Sequence, residues 1–97
     1  MDGDEMSTSF ISNRGVWRRA LYKFGAKAQV LMFIEESAEA VEAILHHNRG
    51  KTDVNHVIEE LADLQIMIHQ MRDFYDDDQR FIEIYTQKLQ RLEGMLE

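Results

Sequence analysis

Two pairs of acidic residues recur at helical spacing in the middle of this sequence. Glu36 and Glu39 are three residues apart, and so are Glu60 and Asp63. Side chains three positions apart in an α-helix lie on nearly the same face, so each pair predicts two adjacent carboxylates. Apolar residues flank both pairs. Ionised carboxylates within an apolar stripe are costly to bury and repel one another, which indicates that a cation lies between them.

A hard divalent cation suits this set of oxygen ligands. Mg²⁺ fits best, and Mn²⁺ is a possible substitute. The alternative is that these are ordinary helix-surface charges, because glutamate is a strong helix former and isolated Glu-x-x-Glu spacings arise by chance. Two such pairs on neighbouring helices favour the metal site over that alternative.

Other polar residues near the acidic pairs could act on a substrate. Glu35 could accept a proton from an attacking water. Lys88 stands among apolar residues, so it needs an anionic partner, either the carboxylates or a substrate phosphate. Arg91 could bind phosphate oxygens or be an ordinary solvated arginine. Gln29 lies two helical turns before Glu36 on the same face, where its amide could hydrogen-bond a base or sugar or lie at a subunit boundary.

Four helices are needed to position these residues. Spacings of three and four between apolar residues predict a short helix that ends or bends at Gly25, a second from residue 26 to about residue 47, a third, and a last with an apolar stripe over residues 81–96. Thr52 or Asp53 can cap the third helix. The loop before the third helix is short, so the second and third helices are antiparallel neighbours and their acidic pairs can face each other.

Length and composition favour one small all-α domain. The 97 residues contain no proline and only five glycines, which suits long helices joined by short loops. Residues 1–12 are polar and predict a flexible N-terminal arm, which leaves residues 13–97 as a single helical domain. The surface-to-volume ratio is unfavourable at this size, and the latter half of the third helix is apolar nearly all round. We therefore expect an antiparallel helical bundle completed by oligomerisation.

Charge and residue usage exclude several classes of function. The formal charge of -7 argues against binding a nucleic-acid polymer, which needs a basic surface. The chain has no cysteine, so it cannot form disulfides, thiolate nucleophiles or cysteine zinc sites. It lacks two Glu-x-x-His motifs for a ferritin-like di-iron centre. No apolar run reaches the roughly 20 residues of a membrane span, and the acidic opening does not suit a secretory signal, so we expect a cytoplasmic protein with no membrane partner.

The paired acidic motifs resemble the EExxE and ExxD motifs of the MazG-like, all-α nucleoside triphosphate pyrophosphohydrolases. They read Glu35-Glu36-Ser37-Ala38-Glu39 and Glu59-Glu60-Leu61-Ala62-Asp63. Further stretches look especially like the short members of the family, which are often encoded by phages or prophages: Phe24-Gly25 with Gln29, residues 63–71, and Lys88-Leu89-Gln90-Arg91-Leu92. The likeness covers roughly residues 15–97.

This resemblance implies Mg²⁺-dependent hydrolysis of a nucleoside triphosphate between its α and β phosphates, which yields the monophosphate and pyrophosphate and serves nucleotide-pool housecleaning. The family's roles then fall on these residues: metal ligation on Glu36, Glu39, Glu60 and Asp63, catalysis on Glu35 and Glu36, phosphate binding on Lys88 and Arg91. Glu35 would support the metal cluster or activate water. Family members assemble as homodimers or dimers of dimers, with helices from both subunits around the site.

The chain departs from the family pattern at a few positions. Phe24 stands where relatives often carry tryptophan, His69 stands where an acidic residue is common, and the C-terminal Asn and Lys-Tyr signature of longer relatives is absent. These departures leave the acidic motifs intact and leave base and sugar specificity open. Two other functions fit the sequence: a catalytically silent acidic bundle that binds a protein or nucleotide, and a helical regulatory subunit that docks a different chain.

Overall fold

The computed structural model describes residues 15–76 and 79–97. Helix α1 occupies residues 15–24, α2 is Ala26–Asn48, α3 is Val54–Asp76 and α4 is Gln79–Met95. The described ranges contain no strand, which confirms the predicted all-α fold. The predicted arm, residues 1–12, lies outside the described residues. No helix in the described ranges is both long and apolar enough to cross a lipid bilayer.

The break between α1 and α2 lies at Gly25, as the sequence predicts. Gly25 has φ 90° and ψ 140°, a backbone conformation that side chains with a Cβ rarely adopt. Its N–H donates to the Leu21 carbonyl at 3.1 Å, and its own carbonyl accepts from the N–H of Gln29 at 3.0 Å. Helical hydrogen bonding therefore continues up to the glycine from both sides, while the chain changes direction at it.

Helix α2 ends in a Schellman motif built on Gly50. The φ of Gly50 is 73°, in the left-handed region. Its N–H donates to the His47 carbonyl at 2.9 Å, and the N–H of Lys51 donates to the His46 carbonyl at 2.9 Å. These two bonds supply donors to carbonyls in the last turn of the helix.

Helix α3 begins with a side-chain cap from Asp53. Its Oδ1 accepts a hydrogen bond from the Asn55 N–H at 2.8 Å, so of the two predicted cap residues it is Asp53 that makes this bond. With one helix ended at Gly50 and the next begun at Asp53, the chain reverses within a few residues. Helices α2 and α3 pack against each other more closely than α3 and α4 do, as expected for neighbours joined by a short connection.

Helix α1 docks on the C-terminal half of α3. The Trp17 indole stacks on the His69 ring with centroids 4.3 Å apart and planes 7° from parallel. The indole N–H donates to Asp73 Oδ2 at 2.8 Å, and Arg18 Nε lies 3.3 Å from the same oxygen. The Asp73 side chain is only 6% exposed, so its charge is held within this contact. Trp17 is thus a packing residue between α1 and α3.

Two contacts join the end of α3 to the start of α4. Asp76 Oδ2 accepts from the N–H of Phe81 at 2.8 Å, and the Arg72 guanidinium lies 4.1 Å from the centre of the Phe81 ring. After Phe81 the residues of α4 are exposed. In the described ranges α4 contacts α3 but not α2. The apolar stripe of α4 is left open to solvent and includes Ile84, Tyr85, Leu89, Leu92 and Met95.

The buried apolar core is small. Its members among the described residues are Ala40, Ala43, Met67 and Met71, and no large side chain is fully buried. Large apolar side chains on all four helices are exposed instead, among them Phe24 on α1, Ile34 on α2 and Ile66 on α3. A single chain therefore buries little of the apolar surface that would stabilise it.

Candidate metal centre

Three of the four predicted metal ligands meet between α2 and α3. Glu36 on α2 and Glu60 and Asp63 on α3 each place one carboxylate oxygen within 4.8 Å of the others. The i, i+3 spacing puts the two α3 residues on one face, and the tight reversal between the helices brings Glu36 opposite them. The local sequence of the two helices and their connection therefore builds this group.

Two oxygens of this group are buried without hydrogen-bond donors. They are Glu36 Oε2 and Glu60 Oε2, and neither finds a partner in the part of the chain that the structure describes. A buried carboxylate oxygen with no donor costs free energy, because it has lost its hydration and gained nothing in return. A cation between the carboxylates would remove that cost, so the arrangement has the chemistry of a cation site.

The electrostatics of Glu36 indicate the same need. Burial is the main cause that raises the pKa of Glu36 above its ordinary value, followed by the charges of Glu39, Asp63, Glu60 and Glu35. All four charges are negative, and no lysine or arginine of the described residues is among the causes. Among the described residues, no lysine or arginine therefore offsets the negative charges around Glu36.

Glu39 and Glu35 lie at the edge of the cluster. Both side chains are exposed, and neither belongs to the group of three oxygens. Glu39 nevertheless exerts the largest Coulombic effect on Glu36, ahead of Asp63 and Glu60. The fourth predicted ligand is thus close to the site on its solvent side, and Glu35 is placed at its margin.

These residues fit Mg²⁺. Carboxylate oxygens are the hard ligands that Mg²⁺ prefers, and the ion usually binds through a few carboxylates while phosphate oxygens and waters complete its shell. Three convergent carboxylates, two of them with unpaired buried oxygens, supply such a partial shell. Mn²⁺ has similar preferences and would bind the same oxygens.

The predicted phosphate-binding residues do not join this cluster within one chain. Lys88 and Arg91 are exposed on α4, which has no contact with α2 in the described ranges. Neither side chain is among the charges that act on Glu36. If they serve the site at all, they must reach it from another copy of the chain or after a movement of α4.

Two buried glutamines continue the line of the acidic residues. Gln29, predicted to contact a base or sugar, is 6% exposed on α2, and Gln70 on α3 is 4% exposed. Gln70 Oε1 is buried and has no hydrogen-bond partner among the described residues. No role was predicted for Gln70 from the sequence. The signal was its spacing, since Gln70 follows Asp63 by seven residues just as Gln29 precedes Glu36 by seven.

Comparisons of the chain with protein-family models, curated proteins and solved structures found no match. The resemblance to MazG-like enzymes therefore rests on the motifs of the sequence and stays a prediction.

Proposed function

We propose that this protein is a Mg²⁺-dependent nucleoside triphosphate pyrophosphohydrolase. One observation carries the proposal: three carboxylates from two antiparallel helices converge within 4.8 Å, and Glu36 and Glu60 each keep a buried oxygen without a donor. Such a site suits a divalent cation, and a cation at an acidic site suits a polyphosphate substrate. The acidic motifs at these positions add the reaction class through their resemblance to the MazG-like family.

The reaction needs a base, ligands for the cation and room for the triphosphate. The oxygen of water forms a bond to the α-phosphorus, the bond from that phosphorus to the α–β bridging oxygen breaks, and pyrophosphate leaves. Glu35, exposed at the margin of the cluster, would accept the proton of the water. Glu36, Glu60, Asp63 and Glu39 would hold Mg²⁺. When bound, the ion supplies the positive charge that offsets and orients the phosphate oxygens.

We also propose that the active form is a homodimer or a dimer of dimers. The small core and the exposed apolar stripe of α4 leave surface that a second copy would cover. Lys88 and Arg91 lie on α4, away from the carboxylates of their own chain. In an assembly, α4 of one copy would bring both cations to the phosphates bound by the other.

The test is pyrophosphate release from a panel of ribo- and deoxyribonucleoside triphosphates, with Mg²⁺ and with EDTA. Glu36→Gln and Glu60→Gln remove one ligand charge each with little change of shape, and we expect losses of at least about 100-fold in turnover. Glu59→Gln is the matched control, because Glu59 neighbours Glu60 on α3 but is exposed and outside the cluster. Its activity should stay within about twofold of the wild type.

A folded oligomer that releases no pyrophosphate from standard or modified nucleotides would refute the enzyme proposal. The exposed apolar stripe of α4 favours one alternative in that event, a catalytically silent acidic bundle that binds a protein or a nucleotide. That alternative predicts binding that is unaffected by Glu39→Ala and stability that is unaffected by Mg²⁺.

A further inference from the structure

Gln29 and Gln70 lie at the same level of the α2–α3 pair. Seven residues of α-helix make nearly two turns, so Gln29 shares the face of Glu36 and Gln70 shares the face of Asp63. The helices are antiparallel, and the carboxylates of Glu36 and Asp63 lie within 4.8 Å of each other. The direction from Glu36 to Gln29, toward the N-terminus of α2, is therefore the same as the direction from Asp63 to Gln70, toward the C-terminus of α3. Both amides lie about 10 Å along the helices from the carboxylates.

The oxygen of Gln70 is an acceptor without a donor. It is buried, and no hydrogen-bond partner reaches it in the described part of the chain. A buried amide that lacks its partner destabilises the fold relative to an apolar side chain of the same shape. A methionine or leucine would fill this position without that cost, so the glutamine suits a ligand that brings its own donor.

The surroundings of Gln70 can adapt to a ligand. Its buried neighbours on α3 are Met67 and Met71, and methionine is the most flexible of the apolar side chains. The oxygen is buried, so a ligand reaches it only when the surrounding side chains rearrange. The flexibility of the nearby methionines lowers the energetic cost of such a rearrangement.

We propose that Gln70, assisted by Gln29, reads the base of the nucleoside triphosphate that the carboxylate cluster binds. This inference rests on the proposed function. The separation of about 10 Å along the helices is comparable with the span from the phosphates of a nucleotide to the polar edge of its base. An N–H of the base donates to Gln70 Oε1, and the carboxamide of Gln29 contacts the neighbouring polar group of the same edge. A site built on such a hydrogen bond discriminates strongly against ligands that lack the donor.

The experiment measures binding, so it does not depend on turnover. Isothermal titration calorimetry with Mg²⁺ compares non-hydrolysable α,β-imido nucleoside triphosphates carrying each of the four bases with inorganic tripolyphosphate, which has no base. The variant is Gln70→Met, and the matched control is Gln90→Met, since Gln90 is exposed on α4. Thermal melting without ligand monitors folding. Gln29→Met, on the opposite helix, repeats the test if Gln70→Met does not fold.

We expect the wild type to rank the bases and Gln70→Met to lose roughly 5- to 100-fold in affinity for the preferred one. Its affinity for tripolyphosphate should be unchanged, and its melting temperature should be equal or higher. Three results for Gln70→Met would overturn the inference and leave the proposed function standing. They are a base ranking equal to that of the wild type, an equal loss of affinity for tripolyphosphate, and a lower melting temperature with normal nucleotide binding. A wild type that binds neither nucleotides nor tripolyphosphate overturns the proposed function and this inference together.

Discussion

Replacing Glu36 with glutamine should stabilise the metal-free protein, although it removes a residue of the proposed site. The carboxylate oxygens lie within 4.8 Å of one another, and two unit charges 4.8 Å apart repel by about 0.9 kcal/mol in bulk water and by about 3.5 kcal/mol at the effective dielectric of a protein surface. Asp63 is exposed and Glu60 is half-buried, so solvent screens much of the larger value. We therefore expect Glu36→Gln to add about 1–3 kcal/mol to the free energy of unfolding without metal.

The measurement is thermal unfolding in EDTA at low ionic strength and fixed protein concentration. For a chain of this size, 1 kcal/mol corresponds to about 4–8 °C, so the melting temperature of Glu36→Gln should rise by roughly 4–24 °C. Glu59→Gln, whose charge lies outside the cluster, should move it by less than about 3 °C.

Adding Mg²⁺ should reverse the order of the two proteins. An ion present at about 1,000 times its dissociation constant stabilises the folded state by about 4.1 kcal/mol, which exceeds the whole expected advantage of the metal-free variant. The wild type keeps all its ligands and gains this increment, whereas Glu36→Gln should gain only a fraction of it. A metal-free variant that is less stable than the wild type, with an undiminished response to Mg²⁺, would refute the electrostatic reasoning and assign Glu36 a structural role.

Four further predictions follow from other features. Burial and the neighbouring carboxylates raise the pKa of Glu36 in the folded state, so ionisation of Glu36 destabilises the fold above that pKa. In thermal melts, the difference in stability between Glu36→Gln and the wild type should therefore shrink as the pH is lowered through the pKa of Glu36. Asp73→Ala removes the acceptor of the Trp17 indole and should cost about 1–3 kcal/mol, with a red-shifted emission of this single tryptophan. Gly50→Ala must adopt a φ of 73° and should cost about 1–2 kcal/mol in urea unfolding at an unchanged slope. Leu92→Glu puts a charge in the exposed stripe of α4 and should lower the mass measured by light scattering, whereas a wild type that is monomeric at high concentration contradicts the proposed assembly.

The helices and their ends were predictable because local signals determine them. Apolar spacing located α2 to within a residue or two, and Gly25, Gly50 and Asp53 act through backbone conformations and hydrogen bonds to close neighbours. The convergence of Glu36 with Glu60 and Asp63 followed from the same local rules, since a short antiparallel connection leaves few alignments of the two helices.

Contacts between helices that are far apart in the sequence could not be predicted from residue spacing. The stack of Trp17 on His69 depends on how α1 folds back over α3, which no spacing within either helix specifies. Lys88 stands among apolar residues in the sequence, which predicted an anionic partner for it. The structure instead leaves the apolar stripe of α4 exposed beyond Phe81, because an amphipathic pattern shows that a face needs covering but not which chain covers it.

The tight reversal between α2 and α3 also means that cation binding and turnover should depend differently on protein concentration. Every carboxylate of the candidate site comes from residues 35–63, and such local contacts form quickly during folding. Meetings between two chains are slower and depend on concentration. Binding of the cation should therefore survive dilution, since one chain holds its ligands. Turnover that needs Lys88 and Arg91 from a second copy should fall as the protein is diluted. Dilution alone should therefore distinguish cation binding from turnover at the same site.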